Sequence, residues 1–273
     1  MNVELRFRAS GGANLMTNKQ GATITKTQLK MIDTLLEKLE ISSKLTDKQS
    51  DTLNSLIDKR DSPFELSDTA KSWLEKLWRK KIKNVEEFLS NKYIEKGLSE
   101  EEMGISLLSK IDGNFYKKNL EHFDNGVLNG TPDILFGDYV DDVKSSWDLK
   151  TFMDAKMTDL YYGQLQIYME LTGKRKARLR YCLVNTPDKL IDDEKRRVQW
   201  ALGIDDPELD EYRPIFQQIE TNMTFSHYKD EERVKTIEVN YDSDYIKELY
   251  NRCEAAIEYF KSIKLGSYEH YSK

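Results

Sequence analysis

Apolar residues recur at helical spacing in the first third of the chain and change to strand-like alternation in its middle. Leu29, Ile32, Leu36 and Leu39 share one face of a helix predicted near 27–40. A second helix, 47–59, opens on Thr46-Asp47-Lys48-Gln49, the spacing of a capping box, and carries Leu53, Leu56 and Ile57. Ser67 is placed to cap a third, bearing Ala70, Trp73, Leu74, Leu77 and Trp78, with Pro63 separating it from the second. A fourth helix, 85–96, is predicted to stop at Gly97 as its C′ residue. A fifth begins near Ser99, with Glu100, Glu101 and Glu102 in a first turn where acids suit the helix dipole.

From 113 to 144 the chain reads as a strand meander: FYKKNLEHF, VLNGTPDILF and YVDDVKSSW, broken by turns at Asn125-Gly126 and Gly137-Asp138. His122, with no cysteine or histidine at ligand spacing, reads as a strand residue. A two-residue loop at 137–138 fixes a register in which Phe136 faces Tyr139, Leu135 faces Val140, Ile134 faces Asp141 and Asp133 faces Asp142. Side chains alternate along a strand, so Lys144 emerges beside Asp142 and Asp133 while Asp141 and Val143 point the other way. Opposed carboxylates repel unless something positive lies between them. Oxygen ligands select magnesium, manganese or calcium, and magnesium commonly takes only one or two carboxylates plus phosphate and water. The pattern therefore points to phosphate chemistry, or else to a surface hairpin whose acids merely align.

A helix at 158–171 shows Leu160, Ile167 and Leu171 in one stripe. Gln164 falls in that stripe, where burying an amide without partners costs about 1–3 kcal/mol, so it requires one. Tyr168 lies one turn on, and Gly173 ends the helix. A buried strand at 177–184 follows; 188–230 is acidic, punctuated by proline and without a readable period. A strand is predicted at 232–241. A last helix, 243–263, carries Ile246, Leu249, Tyr250, Cys253, Ile257 and Phe260, and fraying is expected beyond Leu265. Near the start, FRAS runs into Ser10-Gly11-Gly12, whose amides beside Arg8 either hold a phosphate or form a plain turn.

With 273 residues the chain is long enough for one catalytic core with a helical appendage, divided as 1–84 and 85–273. Hydrophobic residues make up 38% and charged residues 33%, and no apolar run reaches 18 residues, so no membrane span is expected. The first residues lack an apolar signal core, which argues against secretion. Cys182 and Cys253, each in an apolar segment, read as reduced core residues. Net charge is −6, unusual for a partner of a polyanion. Basic runs nonetheless occur at Arg79-Lys80-Lys81 with Lys83, at Lys174-Arg175-Lys176 with Arg178 and Arg180, and at Lys195-Arg196-Arg197; each is a local basic groove or an ordinary solvated face.

Taken in order, Gly97-x-x-x-Glu101, Pro132-Asp133, Asp142-Val143-Lys144 and Gln164-x-x-x-Tyr168, followed by the strand RLRYCLVNTP, resemble the PD-(D/E)xK nuclease superfamily. The resemblance is to its Q-x-x-x-Y branch, which includes RecB-type and lambda-exonuclease/YqaJ-type phage recombination exonucleases, and it covers roughly residues 90–190. It implies an α/β (α+β) restriction-endonuclease-like core, a central mixed sheet flanked by helices, here with an N-terminal helical region. Asp133, Asp142, Glu101 (or Glu102) and the Val143 carbonyl would hold one or two Mg²⁺ ions, with Mn²⁺ as a substitute. Lys144 would stand by the attacking water and Gln164 would position substrate or strand; Tyr168 is a candidate for substrate contact, as are Arg8 and Ser10 on the separate ground of their glycine turn. The implied activity is metal-dependent exonuclease action on double-stranded DNA ends in phage-type recombination or repair. A single-strand annealing protein as partner, a ring-shaped homo-oligomer and the cytoplasm of a bacterial host go with it. A PD-(D/E)xK endonuclease and a catalytically inactive DNA-binding scaffold are the alternatives. Iron–sulfur members of the branch need four cysteine ligands, and two cysteines exclude that cluster; no zinc site is expected.

Overall fold

The computed structural model describes residues 4–18, 24–42, 44–61, 64–85, 92–207 and 209–265. In chain order, β1 (Phe7–Arg8) leads into the single turn α1 (Ala9–Gly12) and a 3-10 turn (Ala13–Met16), then α2 (Lys26–Ser42), α3 (Asp47–Asp61) and α4 (Asp68–Lys83). Next come α5 (Lys92–Asp112), β2 (Phe123–Asp124), β3 (Leu128–Gly130), β4 (Ile134–Phe136), β5 (Tyr139–Ser145), α6 (Leu149–Met153), α7 (Asp159–Thr172) and β6 (Lys176–Cys182). The chain finishes with α8 (Asp188–Leu202), α9 (Arg213–Met223), a 3-10 turn (Asp230–Arg233), β7 (Val234–Asn240) and α10 (Ser243–Ser262). Contacts group these into two units, Met1–Ala13 with Glu86–Lys247, and Asn14–Val85 with Glu248–Lys273. The sequence pattern suggests a single division at 84/85, whereas the folded chain returns its last helix to the company of the early ones.

In the first unit a sheet of order β4-β5-β6-β7 forms the centre. β4 pairs antiparallel with β5, β5 parallel with β6, and β6 antiparallel with β7. One face is covered by α5, whose Ile105, Leu107 and Leu108 cluster with Val143, Ile134, Cys182 and Val184. The other receives α7, the link between the parallel strands. A smaller sheet, β1-β3-β2, pairs Phe7 with Leu128 and Phe123 with Gly130.

α7 departs from the one-sided stripe its sequence suggests. Residues 163–169 are all buried while Leu160 is 45% exposed. The helix is enclosed on more than one side: a Cβ at Gly163 would fall 2.4 Å from that of Ala13 and 2.4 Å from the Tyr245 hydroxyl. Amides replace apolar groups where they find partners, as Gln166 does between the Asn240 carbonyl (2.8 Å) and the Asp242 N–H (2.8 Å).

Several other expectations shift. α5 is one helix running through Gly97, not two separated by it; a mid-helix glycine costs only about 1 kcal/mol, less than the packing on either side supplies. Residues 86–91 of the predicted fourth helix lie outside the described residues, as do Pro63 and the tail beyond 265. Of the FYKKNLEHF segment only Phe123, which opens β2, lies in a strand; Lys118 makes an isolated bridge with Ile134, and His122 precedes β2. VLNGTPDILF splits between the two sheets at Thr131-Pro132, because proline has no N–H to continue a ladder. Ser10-Gly11-Gly12 belongs to α1 and is not a turn. The unreadable 188–230 stretch holds α8 and α9.

In the second unit, Ile32 and Leu35 of α2 pack on Leu53 and Leu56 of α3. The buried stripe is thus rotated from the predicted one, with Leu29, Leu36 and Leu39 at 38%, 37% and 41% exposure. Thr46 and Gln49 exchange the two hydrogen bonds of the predicted capping box (3.2 and 3.3 Å), and Ser67 accepts from the Ala70 N–H (3.0 Å). Arg252 of α10 donates to the carbonyls of Leu15 (3.1 Å) and Thr17 (3.0 Å). Both cysteines are buried and free. Among the described residues no helix is long and apolar enough to cross a membrane.

Candidate active site

The β4–β5 hairpin has the predicted register, Phe136 opposite Tyr139, Leu135 opposite Val140 and Ile134 opposite Asp141. Gly137 has φ +53°, the conformation that a two-residue loop with glycine first demands. Asp133 stands just ahead of β4, and its Oδ2 accepts the Val143 N–H at 2.6 Å. Asp142 and Lys144 share the α7 side of β5, with Lys144 Nζ 2.7 Å from Asp142 Oδ2. Gln164 closes the arrangement from α7: its Nε2 donates to Asp142 Oδ1 (3.1 Å) and to the Tyr168 hydroxyl (3.0 Å).

These groups meet at an open cleft of about 630 Å³ past the end of β5, lined by Asp133, Lys144, Gln164, Glu101 and Ser10 among others. Asp142 lies beneath it, 1% exposed. Of the two upstream acids, Glu101 faces the cleft and Glu102 faces solvent. Tyr168 sits a turn deeper, touching the cleft through Gln164, and Arg8 is exposed on β1 and does not line it. The cleft also has an aromatic wall, Tyr93, Trp147, Tyr161 and Tyr181, that the sequence reading leaves out. Tyr161, three residues before Gln164, shares its helical face. Tyr181 is the register partner of Lys144 across β5 and β6, a pairing that no local pattern reveals.

Burial and the neighbouring Asp142 push the Asp133 carboxyl up to about 7 from an ordinary 3.8, against the pull of Lys144 and of the Val143 N–H. Burial works to lower the Lys144 ammonium, but the carboxylates of Asp142 and Asp133 outweigh it and hold the group above the ordinary lysine range. Lys144 is therefore a fixed positive charge and not a free base. On α5, Lys96 is fully enclosed and donates to the Trp147 carbonyl at 3.0 Å; burial lowers it to about 7.

The opposite face of β5 is held by a separate charge network. Arg178 grips both oxygens of Asp141 at 2.7 Å, and Arg180 reaches Asp112 at 2.6 Å. These two arginines, the end of the basic run at 174–180, thus serve the interior of the first unit and not a nucleic-acid groove. Lys195, Arg196 and Arg197 are paired with Glu220, Asp193 and Glu194 on α8 and α9.

Among the described residues no three His, Cys, Asp or Glu side chains are grouped tightly enough to hold a metal by themselves. Glu101 is turned to Lys118, 3.2 Å away. What is present suits a hard cation that keeps part of its water. Asp142 Oδ2 is enclosed and is turned to the Lys144 ammonium, 2.7 Å away. Asp133 is buried beside Asp142, the two carboxyls a cation would bridge to water and phosphate. Magnesium needs only one or two carboxylates when water and phosphate complete its shell.

No protein-family profile and no curated protein matches the chain. Solved structures do. A phage-related exonuclease from Haemophilus somnus 129PT superposes with a TM-score of 0.64 at 21% identity, covering 94% of this chain and 93% of that one. LHK-Exo in complex with dAMP gives 0.51 at 12% identity, over 94% and 88%. The alkaline exonuclease LHK-Exo from Laribacter hongkongensis, in another structure, gives 0.49 at 13%, over 73% and 83%. Over nearly its whole length, therefore, the chain has the fold of the phage-related exonucleases, the branch that its ordered motifs resemble.

Proposed function

We propose that this protein is a divalent-metal-dependent deoxyribonuclease that hydrolyses phosphodiester bonds, acting as an exonuclease on double-stranded DNA ends. The observation that carries the reading is the convergence of Asp133, Asp142, Lys144 and Gln164 at one cleft on an exonuclease fold. Asp133, Asp142 and the Val143 carbonyl would hold Mg²⁺ or Mn²⁺, with Glu101 joining if it exchanges Lys118 for the ion. A cation bound there lowers the pKa of its water and neutralises charge on the attacked phosphate.

The chain's own residues do the rest. Gln164 fixes the rotamer of Asp142 from behind, so that the carboxylate presents its other oxygen. Lys144 keeps its proton and donates from Nζ toward phosphate oxygens or the attacking water. Ser10 is assigned to substrate through the cleft wall and Arg8 to the backbone flanking it, while Tyr168 acts through Gln164. Action in phage-type recombination within a bacterial cytoplasm, a homo-oligomer and an annealing-protein partner belong to the same proposal.

The test is incubation with Mg²⁺ and either linear or covalently closed circular duplex DNA, with EDTA as control. Degradation of linear DNA alone supports the exonuclease; equal cutting of the circle moves the assignment to an endonuclease. The alternative is a non-catalytic DNA-binding scaffold, which the internal use of Arg178 and Arg180 on an acidic chain does not favour. Asp142→Asn separates the two, since loss of cleavage with DNA binding retained requires an enzyme.

A further inference from the structure

We propose that Tyr161 is a positioning residue for Lys144, its ring face holding the ammonium at the cleft when Asp142 is drawn toward a cation. The inference rests on the nuclease reading above. Lys144 Nζ lies 5.3 Å from the Tyr161 ring centroid, within cation–π reach. The ring is itself fixed. Its neighbour Tyr181 meets it edge-on, centroids 6.3 Å apart at 76°, and Tyr181 is tied down by its hydroxyl donating to the Lys156 carbonyl at 2.8 Å. The Tyr161 N–H donates to the capping Thr158 hydroxyl at 3.2 Å, which sets the start of α7.

In the structure the main hold on Lys144 is Asp142 Oδ2 at 2.7 Å. A carboxylate oxygen shared with a divalent cation has less to offer an ammonium, and a lysine on four rotatable bonds then loses its anchor. A neutral ring face does not compete for the cation and does not cancel the lysine's charge. It restrains the ammonium while leaving its three donors for phosphate oxygens or water. Phenylalanine would do this as well as tyrosine, and an aliphatic side chain would not.

The experiment compares wild type with Y161F, Y161L and Y161M, each checked for folding by near-UV circular dichroism. Cleavage of linear duplex DNA with Mg²⁺ is measured under single-turnover conditions, alongside DNA affinity. Acylation of Lys144 by an acetyl ester, mapped by mass spectrometry, is followed without metal and with Ca²⁺ but no DNA. Y161F should stay within about 2-fold of wild type, while Y161L and Y161M lose about 10-fold in cleavage rate with DNA affinity held within about 2-fold. In Y161L and Y161M the acylation of Lys144 should quicken, about 3-fold without metal and about 10-fold with Ca²⁺. Y161L matching wild type in both assays overturns the proposal, as does Y161F failing alongside it, which would implicate the hydroxyl. A wild type that cleaves no DNA with any divalent ion defeats the nuclease reading instead, and the acylation rates still decide whether the ring restrains Lys144.

Discussion

The Gln164 amide donates to Asp142 Oδ1 at 3.1 Å and leaves Oδ2 to the Lys144 ammonium at 2.7 Å, so a helix and a strand divide one buried carboxylate between them. A group that orients a ligand without touching the ion is worth about 10–100-fold in metal affinity or activity. Gln164→Leu should therefore raise the Mg²⁺ concentration needed for half-maximal DNA hydrolysis by about that factor. Unchanged Mg²⁺ dependence in a folded Q164L protein would remove Gln164 from the site.

Asp133 gives the metal-free protein a pH-dependent stability of defined sign. Its carboxyl ionises near 3.8 when the chain is unfolded and is raised to about 7 in the fold. Between those values the folded chain keeps a proton that the unfolded chain has released. Stability contributed by this group is full below about pH 4 and falls as pH rises to about 7, where it levels off. Denaturant melts in EDTA should show wild type losing on the order of 4 kcal/mol more than Asp133→Asn across that window. Protons compete with the cation for the same oxygen, so apparent Mg²⁺ affinity should rise over the same interval.

A Cβ at Gly163 would collide with Ala13, which cannot turn aside as a long side chain could. Gly163→Ala should destabilise the protein by about 1–3 kcal/mol, read from chemical denaturation. An alanine variant as stable as wild type would mean that the helix is free to shift.

Arg178→Ala offers a check on the inward-facing basic run. It leaves Asp141, 1% exposed, without its bidentate partner. Breaking such a buried pair costs about 3–5 kcal/mol. The folded variant should bind DNA as wild type does, measured by fluorescence anisotropy at fixed salt; a selective loss of DNA affinity at unchanged stability would return Arg178 to the nucleic-acid surface.

How far the site was legible follows from the range of each signal. The hairpin register is local, set by two residues at 137–138 and the alternation on either side, and it placed Asp142 and Lys144 on one face with Asp141 on the other. Gln164 announced itself as an amide in an apolar stripe, and Asp142 and Tyr168 are the partners it required. The choice between Glu101 and Glu102 lay one residue apart on α5, and only the packing of Ile105 and Leu108 against the sheet sets which of them turns to the cleft. Gly97 misled because a glycine near acidic residues looks like a helix boundary, and a propensity of about 1 kcal/mol yields to tertiary contacts on both sides.

By itself the sequence determined what depends on neighbours within a turn or a hairpin: the caps at Thr46 and Ser67, the β4–β5 register, and the shared face of Asp142 and Lys144. Tertiary structure alone decided what depends on partners far along the chain. It set Tyr181 beside Lys144, spent Arg178 and Arg180 on Asp141 and Asp112, enclosed α7 so that its stripe lost meaning, and joined the end of α10 to the early helices. The reason is physical: hydrogen-bond geometry and side-chain alternation act over a few residues, while burial and charge pairing are satisfied by whichever groups the whole chain brings within reach.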